Sequence, residues 1–358
     1  MAPADEHTFE IPNWFEHVAA EHKNARENVV LIDQSSFCKF AIQGPGALAF
    51  LNRLCVNQID KPVGKVVYTQ MCNPRGTIEC DLTIARLADD RFLLVVGTAF
   101  GQRAAWWLNH HLPADGSVTV HEMTSAYGVI NVIGPRSREL LQKLTTADIS
   151  NQGFAFGTCK NLTIGHAPVI SFRVTYVGEL GYELYVPTEF AAHVYESLWE
   201  VGQGLGIKNA GYRTIASLHL EKGYADWGSE LTPEYTPFDA GLGFCVALDK
   251  DDFIGKAALA KIKAGGPKWR LCSFTIDTGE PLMLQGSAPV IHQGEVLGVT
   301  TSSGYGHTIK KNICYAYIPA EKADPATAFE IESYKEVYAA TLEPSRVLYD
   351  PERKKLLM

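Results

Sequence analysis

Phe40-Ala41-Ile42-Gln43-Gly44-Pro45, followed by an apolar-spaced stretch over 47–54, returns as Gly128-Val129-Ile130-Asn131-Val132-Ile133-Gly134-Pro135 leading into 137–144. Each copy reads as a β-strand, a Gly-Pro turn and a helix, with Leu140, Leu141 and Leu144 as the apolar stripe of the second helix. The recurrence predicts two related α/β subdomains packed on each other, although two copies fall short of a repeat array.

Outward from these units, 14–27 spaces Trp14, Val18 and Ala19 as one face of a helix, and Val29-Val30-Leu31-Ile32-Asp33 reads as an apolar strand. In Ile78-Glu79-Cys80-Asp81-Leu82-Thr83-Ile84 the even positions are apolar and the odd ones polar, so one face meets a core and the other something polar. The stretch 91–96 is its hairpin partner, and 104–111 reads as a helix. Strands are expected within 167–186, and helices over 190–201 and 212–222. Past Pro267 the pattern turns to short strands with Gly turns, with 290–299 a hairpin. The expected division is 1–265, holding the units near 40–54 and 129–144, and 266–358, a small β-rich domain.

With 358 residues and 46% hydrophobic content the chain is large enough for two or three packed units. A charged fraction of 20% without Pro, Ser or Gln tracts argues against disorder. The net charge is -8 and no segment gathers Lys and Arg, which argues against nucleic acid and anionic membranes as partners. The eight cysteines are scattered with no CxxC pair, the pattern of reduced thiols. The start, 1–10, is polar and acidic rather than leader-like, and no apolar run reaches the roughly 18 residues of a membrane span. A soluble, cytoplasmic protein is expected.

No GxGxxG follows a strand, and GxxxxGK[ST], GxSxG and HExxH are absent. His110-His111 are adjacent and diverge on a helix, so no metal site is expected. Three segments could carry chemistry. In 68–81 an aromatic strand, a turn at Asn73-Pro74-Arg75-Gly76 and a strand bearing Asp81 form a hairpin that could line a cavity; the alternative is that Asp81 faces solvent. In Thr175-Tyr176-Val177-Gly178-Glu179-Leu180-Gly181-Tyr182-Glu183, Glu183 could accept two parallel hydrogen bonds from a ring with adjacent N–H and NH₂ groups; the alternative is a strand-edge charge paired with Arg173. In the third, Gly211-Tyr212-Arg213 opens a helix that leaves through Leu218-His219-Leu220-Glu221-Lys222-Gly223-Tyr224-Ala225-Asp226-Trp227-Gly228, a Gly- and aromatic-rich exit of the kind that builds sites.

At these segments the chain resembles the aminomethyltransferase family, the tetrahydrofolate-binding T-protein of glycine cleavage and its relatives. It looks closest to the folate-binding C-terminal half of dimethylglycine and sarcosine dehydrogenases and to stand-alone tetrahydrofolate-dependent O-demethylases. The matching text is Val67-Tyr68-Thr69-Gln70-Met71-Cys72-Asn73 with 76–82, then 176–184, then Leu220-Glu221-Lys222-Gly223 with Gly228 and Thr236-Pro237, and Gly298-Val299-Thr300-Thr301-Ser302. The resemblance implies an α+β fold, a three-subdomain cloverleaf in which two related α/β subdomains and a C-terminal β-barrel-like domain surround a central folate cavity. It implies that Tyr68 borders the pterin, that Asp81 lies beside the reactive folate nitrogens, that Tyr176 stacks near the ring and that Glu183 holds the pterin amino edge. Arg213 would meet the acidic end of the folate, and Trp227 is assigned to the cofactor as well. The chain departs from the family pattern at His219, where an Arg is common, and at Ala225-Asp226.

The implied activity is transfer of a methyl group to N5 of tetrahydrofolate, the cofactor, from a small-molecule methyl donor such as a methoxylated aromatic acid of the vanillate, syringate or dicamba type. Asp81 would orient the folate, with His219 and Tyr224, and also Tyr305, as proton donors to the leaving group. His219 could equally be a helix-face residue without a chemical role. The absence of a flavin domain ahead of the match implies that amine oxidation is left to a separate oxidase. Two alternatives stay open: an aminomethyltransferase or formaldehyde-capturing partner of an amine oxidase, yielding 5,10-methylenetetrahydrofolate, and a non-catalytic folate-binding regulatory protein. Downstream folate enzymes are further candidate partners. An anionic folate on an acidic chain implies cations at the cavity mouth, with Arg213 and Lys310-Lys311 as candidates.

Overall fold

The computed structural model describes residues 4–6 and 8–358; Met1, Ala2, Pro3 and His7 of the polar start lie outside the described residues. Helix α1 (Phe15–Glu27) leads into β1 (Val29–Asp33), β2 (Cys38–Gln43) and α2 (Ala47–Leu54), then the meander β3 (Val66–Cys72), β4 (Ile78–Ala88) and β5 (Arg91–Val96). There follow α3 (Gly101–His110), β6 (Thr119–Glu122), β7 (Tyr127–Ile133), α4 (Ser137–Gln142), β8 (Cys159–Ile164), β9 (Ala167–Phe172) and β10 (Gly181–Pro187). Next come α5 (Ala191–Gly202), β11 (Ile207–Asn209), α6 (Tyr212–Lys222) and α7 (Lys256–Gly265). The last strands are β12 (Trp269–Ile276), β13 (Pro289–His292), β14 (Glu295–Gly306), β15 (Lys311–Pro319), β16 (Phe329–Ser333) and β17 (Glu336–Leu342).

These strands make a five-stranded sheet in the order β3-β4-β5-β2-β6, a six-stranded sheet in the order β11-β1-β7-β10-β9-β8, and a closed barrel β12-β15-β14-β13-β16-β17. The two sheets interleave in the chain, because β1 precedes β2 yet pairs with β7 and β11. The Gly-Pro units take the same form in each sheet. Gly44 and Gly134 sit at φ +123° and +125°, and a Cβ on either would lie 2.3 Å from a carbonyl oxygen, Ser117 O or Asn28 O. Only glycine fits both demands.

One face of each sheet is covered by helices. Phe50, Leu51, Leu54, Trp107 and Leu108 of α2 and α3 pack on Cys80, Leu82 and Ile84 of β4, and α4 and α5 cover β7 and β10 in the same manner. The uncovered faces turn toward each other and meet through Ala85, Leu93 and Val95 of one sheet and Val129, Phe172 and Tyr185 of the other. A further core joins Leu271, Ile313, Tyr315 and Tyr317 of the barrel to Val56, Cys72, Leu220, Trp227 and Leu231. All eight cysteines are free thiols. Among the described residues no helix is long and apolar enough to cross a membrane.

Candidate active site between the two sheets

Strand register decides which side chains look into the space between the sheets, because directly paired residues point to one face. In β3 and β4, Tyr68 pairs with Thr83 and Gln70 with Asp81. Thr83 in turn pairs with Val95, and Ala85 with Leu93, both of which meet the facing sheet. In β10 and β7, Glu183 pairs with Asn131 and Tyr185 with Val129. Asp81 and Glu183 therefore face the same space from opposite sheets, with the apolar contact around Tyr185 closing it beyond them.

Asp81 is half-buried, not a solvent-facing residue. Gln70 Nε2 donates to its Oδ1 at 2.8 Å, and the Tyr68 hydroxyl bonds to the same carboxyl group. Burial pushes the Asp81 carboxyl up to about 7; the Gln70 and Tyr68 bonds pull against this and the nearby Asp226 adds to it. A group balanced there can give or take a proton at neutral pH. Glu183 is also pushed up by burial, opposed by the Tyr185 hydroxyl, which donates to its Oε2 at 2.8 Å. Arg173 is not its partner: that guanidinium donates to the carbonyls of Phe154 and Met358.

The exit from α6 supplies the third wall. Tyr176 stacks on His219 with ring centroids 5.4 Å apart and on Tyr224 at 5.7 Å, and its hydroxyl donates to Ala225 O at 2.9 Å. His219 Nδ1 lies 3.1 Å from Tyr224 O, an acceptor only, so Nδ1 carries the proton and Nε2 is left to accept another. The Asp226 carboxyl is raised by desolvation first and also by Glu230, and His219 pulls against this. Glu230 is fully buried; its Oε2 accepts from the Asp226 N–H at 2.9 Å and its Oε1 from Thr301 Oγ1 at 2.6 Å. Tyr176 is raised by burial first and then by the charges of Asp226, Glu230 and Asp81.

Tyr68, Asp81, Tyr176, His219 and Tyr224 are thus brought together, and Glu183 faces the same space. Trp227 lies behind it, buried edge-on against Phe100 at 5.7 Å in the core that backs Tyr68. Arg213 stands apart at the start of α6, where it is exposed, pairs with Asp5 and lies over the Trp14 ring at 4.5 Å. Lys310 and Lys311 diverge: Lys310 borders a cleft with His22 and His307, and Lys311 pairs with Glu343 at 3.7 Å. Tyr305 contacts Phe15 and His307. Sequence reasoning missed Gln70, Asn131 and Glu230. Gln70 was open to discovery by strand alternation from Tyr68, whereas nothing local marks Glu230 as buried.

The residues present suit a pterin. Gln70 Oε1 and Asn131 Oδ1 are buried on the inter-sheet faces without a hydrogen-bond partner, and a buried acceptor left open costs about 1–3 kcal/mol unless a ligand meets it. Together with Glu183 they are acceptors for an edge of N–H and NH₂ donors. No group of three or more His, Cys, Asp or Glu placed to hold a metal ion occurs among the described residues.

Residues 4–250 match the GCVT N-terminal domain family and residues 270–350 the glycine cleavage T-protein C-terminal barrel domain family. Rat mitochondrial dimethylglycine dehydrogenase is 37% identical over 98% of this chain, which spans 41% of that relative's length. The 4-methylaminobutanoate oxidase (formaldehyde-forming) of Paenarthrobacter nicotinovorans is 37% identical over 99% of this chain, which spans 43% of its length. The aminomethyltransferase of Symbiobacterium thermophilum is 34% identical over 90% of this chain and 87% of its own. The solved structure of the glycine cleavage system aminomethyltransferase T from Bartonella henselae shares the fold, with TM-score 0.83, 24% identity and coverage of 96% of this chain and 94% of that one. With both family domains matched in order over most of its length, the chain belongs to the glycine cleavage T-protein, or aminomethyltransferase, family.

Proposed function

We propose that this chain moves a one-carbon unit onto tetrahydrofolate held between the two sheets, and that the donor reaches the site as the iminium that a separate amine oxidase makes from a methylated amine. The observation that supports this reading is the sign of the site: Asp81, Asp226 and Glu230 act on the rings of Tyr68 and Tyr176, with His219 stacked on Tyr176 and Arg353 acting on Tyr224 at the margin. An aromatic wall backed by carboxylates favours an organic cation, and an anionic donor would meet like charges. Bound tetrahydrofolate would supply the nucleophilic nitrogen that accepts the carbon. Glu183, Asn131 and Gln70 would hold the pterin edge, and Tyr68 and Tyr176 its faces. Asp81 would keep or release a proton at its carboxylate beside the reacting atoms, and His219 would take one at Nε2. The names of two relatives, dimethylglycine dehydrogenase and 4-methylaminobutanoate oxidase (formaldehyde-forming), concern N-methylated amines and support the same donor class.

A second reading takes the methyl group from a methoxylated aromatic acid of the vanillate, syringate or dicamba type. Stacked Tyr176 and Tyr224 favour an arene, and Arg353 beside Tyr224 offers a partner for its carboxylate. One experiment separates the readings: incubate the protein with tetrahydrofolate and, in parallel, vanillate, syringate, dicamba, or dimethylglycine with an amine oxidase, and identify the folate product by mass spectrometry. Methylenetetrahydrofolate formed faster than by free formaldehyde in the amine arm is expected. Methyltetrahydrofolate from a methoxybenzoate alone would establish the second reading instead. Folate binding without product in any arm would overturn both and leave a regulatory binding protein.

A further inference from the structure

A second cavity, of about 480 Å³, opens between the sheets at the other end from Asp81. Its walls include Leu87, six residues beyond Asp81 on β4, which puts it roughly 20 Å along the strand, and Ala85 and Tyr185 lie between. Its floor is apolar, with Ala41, Leu93, Tyr127 and Ile170, and its charged lining residues are Arg86, Arg91 and Lys160. No carboxylate lines it among the described residues.

The charges around it do not cancel fully. Arg86 donates from Nη1 to Asp60 Oδ1 at 2.8 Å and to Lys61 O at 2.7 Å, and Asp89 stands 3.9 Å from Nη2 at the rim. Arg86 Nε is buried and has no partner. Lys160 donates from Nζ to the carbonyls of Asp148 and Gly153, and its charge acts on the Asp148 carboxylate. Arg91 is in no ion pair among the described residues. The volume falls in the range of small-molecule sites, roughly 300–1,000 Å³. An apolar floor rewards burial of a hydrocarbon body, while the three cations of the lining reward an anionic head. Inorganic phosphate would leave the floor unused, and a neutral hydrocarbon the cations.

We propose that this cavity binds an amphipathic organic anion, a carboxylate or sulfonate on an aromatic or branched apolar body, at a site separate from the folate cavity. The proposal stands apart from the one-carbon reading.

The test uses a matched pair of fluorescent probes, 8-anilinonaphthalene-1-sulfonate and N-phenyl-1-naphthylamine, which carries the same rings without the sulfonate. The sulfonate should bind the wild-type protein saturably and at least tenfold tighter than the neutral probe. Arg91→Ala with Lys160→Met should weaken the sulfonate at least tenfold and leave the neutral probe within twofold. Excess tetrahydrofolate should displace neither. Equal affinity for the two probes, unchanged sulfonate binding in the variant, or displacement by tetrahydrofolate would each overturn the proposal. Should the double variant fold poorly, Arg91→Ala alone alters an exposed residue and should weaken the sulfonate about threefold, and the wild-type comparison needs no variant.

Discussion

Asp81 carries its proton near neutral pH because the sheets enclose it and Asp226 stands close, while Gln70 and Tyr68 can only partly compensate. Two consequences separate at this residue. For chemistry, Asp81→Ala should lower turnover by roughly 10²–10⁴-fold, the usual worth of a positioned acid–base group, with a much smaller effect on folate binding. Glu183→Ala should do the reverse, raising the dissociation constant for tetrahydrofolate. Two fully active variants would show that the cavity is not where transfer occurs. For stability, the folded carboxyl at about 7 lies above its ordinary 3.8, so the folded chain holds this proton more tightly than the unfolded one. That contribution is complete below about pH 4 and is lost as the pH rises through about 7. Asp81→Asn, which keeps Oδ1 for Gln70, should therefore unfold at higher urea than wild type at pH 8, by on the order of 3 kcal/mol, and differ little at pH 4. An equal difference at both pH values would contradict the titration. The residues that motif and alternation exposed, Tyr68, Asp81, Tyr176 and Glu183, face the inter-sheet space. Arg213 is assigned to the acidic end of the folate by the family resemblance, which could not show that the N-terminal segment brings Asp5 to it.

At the scale of elements, the two Gly-Pro turns carry the duplication. Their glycines combine a φ near +125° with a carbonyl 2.3 Å from where a Cβ would go. Gly44→Ala and Gly134→Ala should each cost roughly 3 kcal/mol or more. Gly116, at φ +74° with nothing within 4 Å, is the control; Gly116→Ala should cost only about 1 kcal/mol. Urea midpoints measure all three, and equal losses would mean that close approach of the backbone is not what selects glycine. This element was legible because its constraint is local, and the same holds for α6 over 212–222 and for the β13–β14 hairpin, whose periods and turns lie within a few residues. Pairing across the chain was not legible. The run Val29–Asp33 announces a buried strand, yet nothing in it says that it joins β7 and β11 rather than the neighbouring β2. The same blindness hid Glu230, whose burial depends on Thr301 and Tyr317 of the barrel closing over it.

At the scale of the molecule, the three units share buried material instead of touching at a seam. Val56, Cys72 and Ile78 of the first sheet unit, Leu220 of α6 and Tyr315 and Tyr317 of the barrel belong to one apolar core. Beside it lies a buried polar joint. Arg26 of α1 donates to Glu179 at 3.1 Å and to Glu221 at 2.9 Å, and His22 Nε2 lies 3.3 Å from Glu221. The segment after the barrel straps across this joint, with Leu348 and Tyr349 N–H groups on Glu221 O, the Tyr349 hydroxyl on Glu179 at 2.6 Å and Asp350 on Lys222 at 3.1 Å. Burial alone would raise Glu221, but His22, Arg26 and the Thr308 N–H hold it at about 2. A carboxyl depressed on folding lends stability that is present above its ordinary 4.5 and lost as the pH falls through about 2. Removing it takes one of two carboxylates from the buried Arg26, leaving Glu179, and takes the ion-pair partner from His22, so Glu221→Ala should cost about 3 kcal/mol at pH 7. The shared core also fixes how the loss should look. Since no unit can open without exposing apolar surface of the others, tryptophan fluorescence and far-ultraviolet circular dichroism should report one coincident urea transition, in the wild type and, at a lower midpoint, in Glu221→Ala. Separate transitions in the wild type would show the barrel to be an independent unit and the shared core to be too weak to couple it. Separate transitions only in the variant would assign the coupling to the polar joint and strap.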